Sequence, residues 1–158
     1  LYLARPERAE AVGRGLAQGL ESLGLRPDLI VAPAMGGLLI GHEVARAAGL
    51  PFLFTERADG AMALRRGFAL AEGQTVVIVE DVVTTGKSTR EVIRVLEDQG
   101  GRVIAMASIV NRSGKANPFE PLPYLSLLEV SFPTWPADDC PLCLEGVPIN
   151  KPGSRPIA

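Results

Sequence analysis

Two adjacent carboxylates, Glu80 and Asp81, lie in the stretch VVIVEDVVTTGKST that runs from Val76 to Thr89. Its tail, Gly86-Lys87-Ser88-Thr89, has the ending of a nucleotide-binding loop of the form G-x-x-x-x-G-K-[ST]. Asp81 occupies the position where such a loop needs its first glycine. A carboxylate at the mouth of a triphosphate cradle repels the ligand, which argues against an NTPase. The small residues after the acids, Thr84-Thr85-Gly86-Lys87-Ser88, suit a different cargo. Backbone N–H groups at a helix start, together with Thr and Ser hydroxyls, make a site for one phosphate monoester. The two acids suit sugar hydroxyls, directly or through a hydrated Mg²⁺. An acid pair beside a phosphate cradle describes a ribose 5-phosphate. In the plainer alternative the acids solvate a strand end and the hydroxyls cap a helix.

The surrounding pattern says what must position these groups. TVVIVE, immediately ahead of Asp81, is the most β-rich run and reads as a buried central strand. Pro6 to Leu23 reads as a helix, with Pro6 in the first turn and Ala9, Val12, Leu16, Leu20 and Leu23 at helical spacing. LIVAPA is a strand, Gly36-Gly37 opens a helix through Ala48, and PFLFTE is a further strand. The segment RADGAMALRRGFALAEGQ reads as a loop or β-hairpin turning at Asp59-Gly60. Ser88 to Gln99 is an amphipathic helix, RVIAMASIVN and YLSLLEV are strands, and 132–158 is expected to be an irregular tail. Alternation of this kind predicts one α/β domain over 1–158, a mostly parallel sheet flanked by helices. Ligands of such sheets sit beyond the carboxyl ends of the strands, where APAMGG, EDVVTTGKS and VNRSG lie.

Composition narrows the partners. A formal charge of −2 provides no basic field for nucleic acid or an anionic membrane. No apolar run approaches the roughly 20 residues that span a bilayer, so a cytoplasmic protein is expected. Cys140 and Cys143 have the spacing of half a zinc knuckle, and two such pairs from two subunits could complete a Cys₄ site. The bland alternative is a tight turn carrying two thiols. Leu1 in place of Met leads to the expectation that a longer parent chain precedes it.

The run VVIVEDVVTTGKS resembles the phosphoribosyl-pyrophosphate (PRPP) signature of type I phosphoribosyltransferases. With DLIVAPAMGG, FTERADGAMALRRGF, IVNRSG and CPLCLEGVP, the chain is similar to the orotate phosphoribosyltransferases, in a compact bacterial subgroup like that of Thermus. The resemblance implies the type I fold with a mobile hairpin, transfer of phosphoribosyl from PRPP to orotate, Mg²⁺ brought in on PRPP, and a homodimer. It implies that Glu80, Asp81, Val82, Val83, Thr84, Thr85, Gly86, Lys87 and Ser88 bind PRPP. By the same resemblance Met35, Gly36 and Gly37 form a diphosphate loop, often with a non-proline cis peptide, and Arg57 contacts the diphosphate. Arg112, with Thr84, would meet orotate, a planar bidentate donor facing a planar anion.

Three departures qualify the match. Many relatives carry lysines and a histidine in the mobile loop; here Ala58 follows Arg57, and Arg65 and Arg66 are the strong charges left as catalytic candidates. Asn111 stands where many relatives carry Asp, and His42 reads as structural. The family segment that precedes this region and hoods the base pocket is expected to be missing from this chain, which opens at Leu1. Rival readings are a purine or uracil transferase of the same type, or a PRPP-sensing regulator without catalysis.

Overall fold

The computed structural model describes residues 2–148. TVVIVE becomes part of β4 (Thr75–Val83), a central strand in a six-stranded sheet. Its neighbours are β1 (Leu29–Pro33) and β5 (Arg102–Asn111), both parallel to it. With β2 (Phe52–Ala58), β3 (Ala61–Leu64) and β6 (Tyr124–Glu129), the order is β3-β2-β1-β4-β5-β6. Only β3 runs antiparallel, to β2.

Side chains of β4 alternate between two apolar layers, as a strand covered on both faces requires. Val77 and Val79 pack with Leu16 and Leu20 of α1 (Pro6–Ser22) and with Ile40 and Val44 of α2 (Gly37–Ala48). Val76 and Ile78 pack on the other face with Val92 and Leu96 of α3 (Lys87–Glu97). Each such fully buried aliphatic side chain contributes about 1.5–3 kcal/mol. Asp28 ties the entry of β1 to that of β4, its Oδ2 accepting from the Thr75 backbone N at 2.8 Å and from Thr75 Oγ1 at 2.6 Å. Among the described residues no helix is long and apolar enough to cross a membrane.

The β2–β3 connection is the expected hairpin. Asp59 (φ 50°) and Gly60 (φ 85°) both take the left-handed conformation of a two-residue primed turn. From β3 the chain crosses to the far side of β1 to begin β4. This creates a topological switch point between β1 and β4, where doubly wound sheets bind ligands.

Two boundaries differ from expectation. The central strand does not stop at the acids: Val82 pairs with Val110 and Val83 with Asn111, so Glu80 and Asp81 lie within β4. The tail is irregular over 130–136 but then forms a 3₁₀ turn (Ala137–Asp139) and one helical turn, α4 (Pro141–Leu144). The last part of that expected tail, 149–158, lies outside the described residues.

Candidate active site

A cleft of about 420 Å³ opens at the carboxyl end of β4. It is lined by Glu80, Val82 and Val83, by the loop and helix start from Thr84 to Thr89, and by Arg57, Gly60 and Glu91. The phosphate loop predicted from sequence is therefore assembled as one surface. Gly86 takes φ 71°, and a Cβ there would lie 2.9 Å from both Arg90 Nη1 and Phe119 Cε1. Glycine is required on both counts, conformation and space. The Lys87 backbone N donates to Thr85 Oγ1 at 3.3 Å.

The acids face a second loop. Between β1 and α2 the chain turns through Ala34, Met35 and Gly36, and the Ala34–Met35 peptide is cis, as the resemblance implies. A Cβ on Gly36 would fall 2.6 Å from Asp81 Oδ2, and one on Gly37 would fall 3.0 Å from Glu80 Oε2 and from the Val79 carbonyl. The two glycines thus let this loop close directly onto the acid pair. Asp81 Oδ1 accepts from the Val82 backbone N at 2.7 Å, whereas Glu80 Oε2 is buried with no hydrogen-bond partner among the described residues.

Burial first, and the neighbouring Asp81 carboxylate second, push the Glu80 carboxyl up to about 8. The folded state then holds a proton that the unfolded chain, with its carboxyl near 4.5, has released. Stability should accordingly fall as pH rises from about 4.5 to about 8 and level off above. Glu80→Gln is expected to flatten that slope. Urea midpoints at about pH 5 and about pH 9 measure it, and equal slopes for both proteins would contradict the burial of Glu80.

Other predicted residues are only partly gathered. Arg57 lines the cleft, its Nη1 donating to the Gly60 carbonyl at 2.7 Å and its Nη2 lying 3.0 Å from Glu91 Oε2. Arg65 and Arg66 are not brought in. Arg66 donates to Glu56 Oε2 at 2.9 Å and sits over the Phe54 ring, while Arg65 approaches Glu56 at 4.0 Å. Arg112 donates its backbone N to the Val83 carbonyl at 2.7 Å, beside the phosphate loop, but its guanidinium lies over the Phe132 ring and outside the cleft lining. Asn111 organises the loop after β5, with Nδ2 donating to the Lys115 carbonyl at 2.8 Å and Oδ1 accepting from Ser113 Oγ at 2.7 Å. An aspartate could not make the first of these bonds. His42 packs edge-on against Phe52, away from the cleft. Cys140 and Cys143 are free thiols on the turn of α4, and among the described residues no cluster of three His, Cys, Asp or Glu could hold a metal.

Sequence reasoning missed Arg90. It braces the phosphate loop, donating to the Thr85 carbonyl at 2.8 Å and to the Pro118 carbonyl at 2.7 Å, with its guanidinium over the Phe119 ring. Its spacing, four residues after Gly86 on a helix, was the available signal.

Comparison with known proteins agrees with this geometry. The family model "Phosphoribosyl transferase domain" matches residues 2–138. Orotate phosphoribosyltransferase of Carboxydothermus hydrogenoformans is 46% identical over 98% of this chain and 81% of its own length. The protein of that name from Heliobacterium modesticaldum is 49% identical, over 97% of this chain and 80% of its own. Among solved structures, adenine phosphoribosyltransferase of Thermoanaerobacter pseudethanolicus superposes with a TM-score of 0.70 at 24% identity, covering 82% of this chain and 84% of the other. That last likeness bears on the fold alone.

Proposed function

The chain belongs to the orotate phosphoribosyltransferase family, and from that membership we propose that it transfers the 5-phosphoribosyl group of PRPP to orotate, giving orotidine 5′-monophosphate and diphosphate. The observation that carries the reading is the acid pair of β4, with the Thr84–Ser88 loop ahead of it and the Gly36–Gly37 loop closed onto it.

In this reading, backbone N–H groups and hydroxyls of Thr84 to Ser88 hold the 5′-phosphate. Glu80 and Asp81 hold the ribose hydroxyls, and Met35, Gly36, Gly37 and Arg57 receive the diphosphate. The C1–O bond to diphosphate breaks through an oxocarbenium-like transition state, and orotate N1 attacks C1 as the N1 proton is given up to the departing diphosphate or to solvent. The protein's share is positioning and charge. Asp81, beside the ribose, favours positive charge as it builds on the ring, and Arg57 stabilises the departing anion. The unpartnered Glu80 Oε2 next to Asp81 is a donor set that fits a hydrated Mg²⁺ carried in on PRPP, which would supply neutralising charge at the diphosphate. Arg112, at the end of β5, is the group proposed for the orotate carboxylate, with Thr84 beside it. Arg65 and Arg66, already paired with Glu56, would serve the leaving diphosphate of a neighbouring subunit in a homodimer. Hairpin closure would keep water from C1. The two free thiols fit a reducing compartment, and we place the enzyme in the cytoplasm.

Because the fold is shared with an adenine enzyme, the test is a base panel. Incubation with PRPP, Mg²⁺ and orotate, uracil or adenine should yield nucleotide from orotate alone. Nucleotide from adenine or uracil in its place would overturn the choice of base.

A further inference from the structure

Glu91 lines the cleft, yet the reaction above gives it no task. It projects from α3, one turn after Lys87, and places a carboxylate in a space meant for phosphates. Left alone, that charge would weaken anion binding. It is not alone: Arg57 Nη2 lies 3.0 Å from Glu91 Oε2, with the two side chains 40% and 25% exposed. The contact is close but misaligned, because among the described residues Glu91 Oε2 accepts no hydrogen bond, from Arg57 or any other donor. The other arm of the same guanidinium donates to the Gly60 carbonyl at the hairpin turn. Arg57 is thereby held between its own hairpin and α3, facing the cleft, by one aligned bond and one purely electrostatic contact.

We propose that Glu91 is a positioning residue for Arg57, holding the guanidinium over the cleft while it is empty and yielding it to the incoming diphosphate. The proposal rests on the functional reading given above. A diphosphate offers several oxygens and more charge than one carboxylate, so it can supply the aligned acceptors that Glu91 does not. Exchange of partner then costs little more than the loss of one partly exposed ion pair, a weak contact in water. Glu91 also screens Arg57 from other anions until the correct one arrives.

The test measures binding of inorganic diphosphate with Mg²⁺ by calorimetry, and KM for PRPP, in the wild type, Glu91→Gln, Arg57→Ala and the double variant. Glu91→Gln keeps the size of the side chain and removes its charge. It should bind diphosphate about three- to fivefold tighter and lower KM for PRPP by a similar factor, without raising kcat. In the Arg57→Ala background there is no guanidinium to release, so the same substitution should relieve only the direct repulsion of the ligand and give a clearly smaller gain. Unchanged or weaker binding by Glu91→Gln would overturn the proposal, and so would an equal gain in the Arg57→Ala background. A wild-type protein that bound neither diphosphate nor PRPP would instead overturn the functional reading, and this proposal with it.

Discussion

Asp81→Asn should leave the fold standing while removing most of the turnover. Among the described residues the Asp81 carboxylate accepts a hydrogen bond only from the N–H of its own neighbour, Val82, at 2.7 Å, and an asparagine oxygen can accept the same bond. The side chain is half-buried and ties together no two elements, so the stability change should stay within about 1 kcal/mol. Turnover is another matter. A fixed negative charge beside the ribose acts on a ring that becomes cationic in the transition state, and loss of one such preorganised group costs about a hundredfold to a thousandfold. The exchange should also lower the Glu80 carboxyl, since the Asp81 charge is the second cause of its upward displacement. A variant with wild-type turnover would show that Asp81 does not hold the ribose.

Gly36→Ala is expected to act on the same carboxylate from the opposite side. The backbone at Gly36 has φ −59° and ψ −44°, ordinary helical values that alanine adopts freely. Conformation therefore gives no objection, and only space does. The added Cβ would meet Asp81 Oδ2 at 2.6 Å, Oδ1 at 2.8 Å and Cγ at 2.9 Å. Either the acid turns away or the loop lifts, at a cost of about 1–3 kcal/mol, typical of overpacking. Both movements spoil the junction of ribose and diphosphate sites, so kcat/KM should fall about a hundredfold, because small displacements of positioned groups are this expensive. Removing the obstructing carboxylate in a Gly36→Ala/Asp81→Ala double variant should recover most of the stability and not the activity. Full activity in Gly36→Ala would mean that the loop and the acids do not act together.

How much of this could be read from the chain follows from the range of the interactions involved. Local signals served well where the determinant is local. The β-branched run at Val76–Val79, the Asp59-Gly60 turn, and the glycines that open α2 and α3 all state their structure within a few residues. Features decided across the sheet were not legible. Glu80 and Asp81 look like the end of a strand, but the strand continues because Val110 and Asn111 of β5 offer a ladder to Val82 and Val83. Arg65 and Arg66 look free in sequence, but the hairpin folds Glu56 back beside them. Likewise, the polar face of α3 gives no hint that Glu91 turns toward the cleft, since any solvated helix face carries such residues. The Thr84–Ser88 loop was legible because it is one continuous stretch, and the β1–α2 loop and Arg57 were legible as motifs by resemblance. The approach of Arg57 on β2 to Glu91 on α3 needed the fold.

In the proposed reaction the cleft lined by Glu80 and the Thr84–Ser88 loop, with Asp81 beside it against Gly36, hands a ribose 5-phosphate to orotate. The most direct measurement of this transfer is orotate absorbance after mixing the protein with orotate, PRPP and Mg²⁺. The absorbance should fall only when both PRPP and Mg²⁺ are present, recover when diphosphate is added to the product, and stay nearly constant with Asp81→Asn. Unchanged orotate absorbance with folded wild-type protein at saturating PRPP and Mg²⁺ would contradict it.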